Sequence, residues 1–132
     1  MKISLNDPRF LSWFLWLVML HSLGVGIGLI FMPGSWMSFF GFEPYVQNFY
    51  QAQGGIFHIV MCVAYSIAAI DNKKYEVLIS FSIIAKFIAF VFLLLYFVLV
   101  DQAWIIIFSS IGDGLMGTVI LLLYQANKKK TE

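Results

Sequence analysis

Four side chains able to hold or move a proton stand one in each apolar stretch of this chain: His21, His58, Lys86 and Asp113. Apart from Lys86 and Asp113, those stretches contain no Asp, Glu, Lys or Arg. A carboxylate beside an ammonium can form an ion pair, and a neutral imidazole can bond to either partner or pass a proton. Two histidines on different helices are also a possible axial pair for haem b. His21, His58, Cys62 and Asp113 together offer donor types that zinc or copper accepts. Cys62 follows His58 by four residues, so the two share a helix face. That spacing alone does not make a nucleophile and base, and a lone cysteine in an apolar helix is more often a small packing residue.

The elements that must position these groups follow from composition. The chain has 132 residues, 61% of them hydrophobic and 11% charged, with 14 phenylalanines. Its mean hydropathy is +0.90. Soluble domains carry about 25% charge, so a water-soluble globule and a disordered chain are both excluded. A formal net charge of +1 gives no field to hold a polyanion, which excludes nucleic-acid binding. One cysteine allows no internal disulfide.

Four stretches, about 11–32, 52–70, 77–100 and 103–125, meet the roughly 20 residues needed to cross a bilayer core. In lipid a spanning backbone must satisfy its own hydrogen bonds, so these are helices. The predicted fold is all-α, a single membrane domain built as a four-helix bundle, with an interfacial segment at 33–50. The first apolar run exceeds the length of a signal peptide's core, lacks a following A-x-A site and ends at Pro33-Gly34, so a retained span is expected.

Counting inward from the end of each span nearest the basic residues sets the depth of the four groups. His21 lies 11 residues beyond Phe10, His58 12 from Ile70, Lys86 10 from Glu76 and Asp113 12 from Gln125. At 1.5 Å per residue these are depths of about 15–18 Å, close to the middle of a core about 30 Å thick. A charge at that depth is costly unless it turns inward and finds a partner. Lys86 and Asp113 are the expected pair. Counted back from the short Asp101-Gln102 link, their levels differ by about one helical turn, which a lysine stem spans. Ser82 shares the face of Lys86. Ser109, Asp113 and Gly117 form a stripe at four-residue spacing, as do Gly54, His58 and Cys62. Gly24 and Gly28 offer the first span a close-packing edge.

The charges also orient the chain. Lys2, Arg9, Lys73, Lys74, Lys128, Lys129 and Lys130 fall on one side of the four spans, whereas the other side carries only Glu43 and Asp101. The positive-inside rule then places both termini and the Asp71–Glu76 loop in the cytoplasm of a bacterial inner membrane. The segment from Pro33 to Tyr50 is rich in aromatics, among them Trp36, Phe39, Phe40 and Tyr45. Such residues anchor at a membrane interface, or serve as a docking surface for a partner. Ser35 is the expected cap of a short interfacial helix stopping at Gly41, with Pro44 opening the next turn.

No phosphate loop, nucleophile elbow or zinc-protease motif occurs. The residues therefore favour a small, non-catalytic accessory or structural subunit of a membrane complex, without a cofactor, around a Lys–Asp–His layer. A membrane-embedded site that binds an apolar small molecule or relays protons is the alternative, and transport would call for a homo-oligomer. A haem protein, or an acid–base enzyme using Asp113 or His58, is a further class.

The whole chain resembles the small four-span DoxX-like membrane proteins and related uncharacterised families. The resemblance lies in Arg9-Phe10-Leu11 opening a glycine-bearing span, in the Pro33–Phe42 interfacial stretch, and in Tyr50-Gln51-Ala52-Gln53-Gly54-Gly55. It implies a compact membrane bundle, in some cases associated with redox enzymes, and supplies no catalytic residues.

Overall fold

A computed structural model describes residues 7–43 and 48–128. It contains four long helices: α1 (Pro8–Phe31), α2 (Phe49–Ile70), α3 (Glu76–Leu99) and α4 (Trp104–Lys128). Each is long and apolar enough to cross a membrane, and no strand occurs among the described residues. The protein is an integral membrane four-helix bundle.

The exterior is unlike a soluble protein's, and several polar side chains lie inside. Large apolar side chains such as Leu17, Phe57, Ile88, Phe92, Phe108 and Leu115 are exposed on the outside, whereas Ser22, Ser82, Lys86, Ser110 and Asp113 are buried. Lipid is the solvent that makes this arrangement favourable, because the apolar exterior costs nothing there.

The bundle is two hairpins. The α1–α2 contact and the α3–α4 contact are extensive, and the hairpins meet along thinner α1–α4 and α2–α3 seams. A contiguous apolar core of Leu11, Leu15, Val18, Tyr65, Ala68, Ile79 and Ile120 joins all four helices. It fills the half of the bundle nearest the basic end, where α1 and α3 begin and α2 and α4 finish.

Helix ends follow local chemistry. Asp7 caps α1, its carboxylate accepting the N–H of Arg9, and Pro8 takes the first turn, where its missing N–H is no loss. After Pro33 the chain makes one 3-10 turn, Gly34–Trp36, and further turns to Gly41. There Phe42 donates to the Met37 carbonyl and Gly41 to that of Ser38, with Gly41 at φ +90°. This is a Schellman closure, and glycine is the residue that enters it without strain. The expected stop at Gly41 is present. The cap position is Pro33 rather than Ser35, and no side chain caps it. Pro44 and Tyr45 lie outside the described residues.

The close approach of α1 and α2 is at Gly26 and Gly55, not at Gly24 and Gly28. A Cβ on Gly26 would lie 2.8 Å from the Gly55 carbonyl oxygen, and one on Gly55 2.7 Å from that of Gly26. A Cβ on Gly24 or Gly28 would meet nothing within 4 Å. Gly26 continues the buried stripe Leu11, Leu15, Val18, Ser22, and this stripe selects the face. Gly26→Ala or Gly55→Ala should therefore lower stability by about 1–3 kcal/mol, the usual penalty of overpacking. Gly24→Ala should leave it unchanged or raised. Unfolding midpoints in detergent of the three variants check this. Equal effects at Gly24 and Gly26 would remove the assigned crossing point.

Candidate functional site

The α3–α4 hairpin has almost no slack. Residues 100–103 link the helices, and Ala103 donates to the Asp101 carboxylate at 3.0 Å. So short a link fixes the antiparallel register and sets Lys86 opposite Gly117. A Cβ on Gly117 would sit 3.1 Å from that of Lys86, so the lysine stem lies in the notch glycine leaves. From there it extends one turn along α4 to Asp113, where Nζ donates to Oδ1 at 2.5 Å. The side chains are only 5% and 12% exposed. The ammonium also lies 5.7 Å from the centre of the Tyr65 ring, so α2 contributes a cation–π contact to a pair made by α3 and α4.

Neighbouring polar groups complete the layer. Ser110 Oγ, fully buried, donates to the Phe90 carbonyl at 2.9 Å, and Ser82 Oγ donates back along its own helix to Leu78 at 2.7 Å. Ser109 is exposed. The inward serine of α4 is therefore Ser110, and the buried stripe runs Ile106, Ser110, Asp113, Gly117, Ile120. Phe90 packs over Gly114 and Phe87 lies beside Gly117, so two of the bulky neighbours of Lys86 fill glycine notches. Phe81 and Phe92 face outward.

On the other hairpin, Ser22 Oγ lies 3.1 Å from His58 Nδ1 and donates to the His58 carbonyl at 3.3 Å. Ser22 was not among the candidates drawn from the sequence. The sequence carries little signal for it, because α1 is apolar all round and its inward face is chosen only by packing. Cys62 directs its thiol to the Met19 and His58 carbonyls at 3.4 and 3.2 Å, which is a packing role across α1 and α2. His58 is half-buried and His21 is exposed on the outside of α1, and no hydrogen bond or ion pair among the described residues joins either imidazole to Lys86 or Asp113. Among the described residues no three His, Cys, Asp or Glu side chains converge as a metal ion requires. His21, His58, Cys62 and Asp113 are not brought together as such a group.

The aromatic segment packs on the start of α4. Trp104 Nε1 donates to the Phe39 carbonyl at 2.9 Å. Its ring stands edge-on to Phe39 at 6.1 Å and tilted against Phe40 at 5.9 Å. Met37 and Ala103 are buried beneath, and a Cβ on Gly41 would lie 3.1 Å from the Ala103 Cα. Trp36 and Phe39 still expose most of their surface.

The chain matches no family model, no curated protein and no solved structure.

The ion pair makes a double-substitution cycle decisive. Lys86→Met and Asp113→Leu each strand a buried charge and should each cost about 3–5 kcal/mol. The Lys86→Met/Asp113→Leu protein should regain much of that loss, because both charges are gone. Folded yield by size exclusion and unfolding midpoints measure it. A double variant no better than the worse single would mean the two groups do not act as a pair.

Proposed function

We propose that this protein is a non-catalytic accessory or structural subunit of a membrane complex, with Lys86–Asp113 serving to fix how its helices assemble. The observation that carries this reading is that the pair is used internally. Lys86 is held by Asp113 and by the Tyr65 face, so its charge links three helices. A buried pair of this kind is weak as a source of stability but effective at specifying one arrangement over another. The apolar exterior supports the same reading, since it can meet lipid or another membrane protein along the whole length of the bundle. The DoxX-like resemblance is carried as part of the proposal, on a stretch whose Gly55 makes the α1–α2 contact. So is the orientation with termini in the cytoplasm of a bacterial inner membrane.

A second reading is favoured by one observation. His21 is exposed near mid-span, at about the depth of the buried pair and of the half-buried His58. In this reading His21 is the lipid-facing end of a relay through which a proton, or the polar end of an apolar molecule, would reach Asp113.

Two measurements separate the readings. In gently solubilised native membranes the accessory reading expects the protein to migrate in an assembly several times its own 15.1 kDa, and the Lys86→Met/Asp113→Leu variant to migrate there too. Migration as the chain alone would count against it. In proteoliposomes with an internal pH dye it expects proton leakage equal to that of empty vesicles. Faster leakage that His21→Leu abolishes would establish the relay instead.

A further inference from the structure

At the basic end of the bundle the first turns of α1 and the α2–α3 turn enclose an open pocket of about 260 Å³. Its walls include Arg9, Ser12, Trp13, Asp71, Asn72 and Lys73. Its floor is fixed. Asn72 Nδ2 donates to the Pro8 carbonyl at 2.9 Å and to Ser12 Oγ at 3.2 Å, which staples the turn onto α1. Asp71 Oδ1 accepts the N–H groups of Lys73 and Lys74 at 3.2 and 3.0 Å, so the acid in the pocket is already engaged by the turn it shapes.

The cations on the rim are not engaged in that way. Arg9 and Lys73 are exposed, and among the described residues the ion pairs are Lys86–Asp113 and Lys128–Glu76. Of the other acids at this end, Asp7 caps α1 through the Arg9 N–H. Glu76 accepts from the Tyr124 hydroxyl and lies 3.8 Å from Lys128. The pocket therefore presents a guanidinium and an ammonium against one carboxylate, whose Oδ1 is held by backbone N–H groups of its own turn. Beside them stands Trp13, 71% exposed, one turn inside the helix start. An indole at that height belongs to the headgroup level of a bilayer.

We infer that this pocket binds the phosphodiester of an anionic phospholipid, with Arg9 and Lys73 on the phosphate oxygens and Trp13 and Ile70 against the glycerol and upper acyl chains. A guanidinium presents a planar fork that matches two phosphate oxygens, and a lysine adds a point charge. Drug-sized ligands occupy cavities of about 300–1,000 Å³, so a space slightly smaller suits a headgroup whose chains remain in the bilayer. Basic pockets between membrane helices favour anionic lipids over zwitterionic ones for the same electrostatic reason.

Native mass spectrometry of the detergent-purified full chain, titrated with phosphatidylglycerol, tests the assignment. Bound lipid should appear on the wild type and weaken at least ten-fold in Arg9→Gln/Lys73→Gln. Lys128→Gln removes a charge from the same end and should change it less than two-fold. Trp13→Ala should weaken it several-fold. Phosphatidylcholine should bind at least ten-fold more weakly than phosphatidylglycerol, and millimolar inorganic phosphate should leave lipid binding unchanged. Three results would overturn the inference. One is undiminished binding in the Arg9/Lys73 variant. Another is an equal loss in Lys128→Gln, which would show a diffuse basic surface. The third is displacement of lipid by inorganic phosphate, which would make the ligand a free anion. Unchanged size-exclusion profiles are expected throughout, because the substituted side chains are exposed.

Discussion

An ammonium at the middle of an apolar bundle leaves few acceptable arrangements. Its transfer to the centre of a membrane helix costs about 2.5–3.5 kcal/mol even by lenient measures. The cost is reduced only if an acceptor stands within reach at the right depth on the right face. In this chain Asp113 meets that condition because three independent features agree. The four-residue link after α3 leaves the hairpin no freedom to slide, Gly117 removes the side chain that would block the lysine stem, and the stem is as long as the one-turn offset it must cover.

The two hairpins solve the packing problem differently. In α1–α2 the backbones touch at Gly26 and Gly55, and the polar contacts are neutral ones, from Ser22 to His58 and from Cys62 to two carbonyls. In α3–α4 the helices are held by a charge pair and by aromatic rings seated over glycines. Close glycine contact gains dispersion and backbone proximity, whereas the charge pair gains specificity of register. Tyr65 connects the two. It belongs to the apolar core, and its ring face meets the Lys86 ammonium. The polar layer thus sits as a lid on the core that fills the basic half of the bundle.

What could be read from the sequence divides along one line. Length and hydropathy determine where a helix spans, and counting determines depth, so the four spans and the Lys86–Asp113 partnership were legible. Rotation about the helix axis was less so. α1 is apolar on every side and has almost no amphipathic signal. Two glycine spacings, 24/28 and 26 alone, were therefore indistinguishable until a partner helix chose between them. The same ambiguity put Ser109 beside Asp113 in place of Ser110. Both lie within one turn of the acid, at four and three residues, and only the packing of α3 selects the second. Ser22 is hidden in the same way: Leu11, Leu15 and Val18 share its face, but equally apolar residues fill the other faces of α1, so the sequence does not single that face out.

The aromatic segment after α1 gains a different meaning once the layer is placed. A lid over a mid-membrane site would need to release from the bundle, so its contacts should be few and solvated. Here the Trp104 indole is hydrogen-bonded to the Phe39 carbonyl, two rings pack against it, and Gly41 lies on Ala103 with no room for a side chain. Those contacts tie the α1–α2 link of the first hairpin to the start of α4, at the end opposite the apolar core. The segment therefore braces the half of the bundle where the helices share the least apolar contact. The outer surfaces of Trp36 and Phe39 remain available to lipid or to a neighbouring membrane protein, because the bracing uses the inner faces of the same segment.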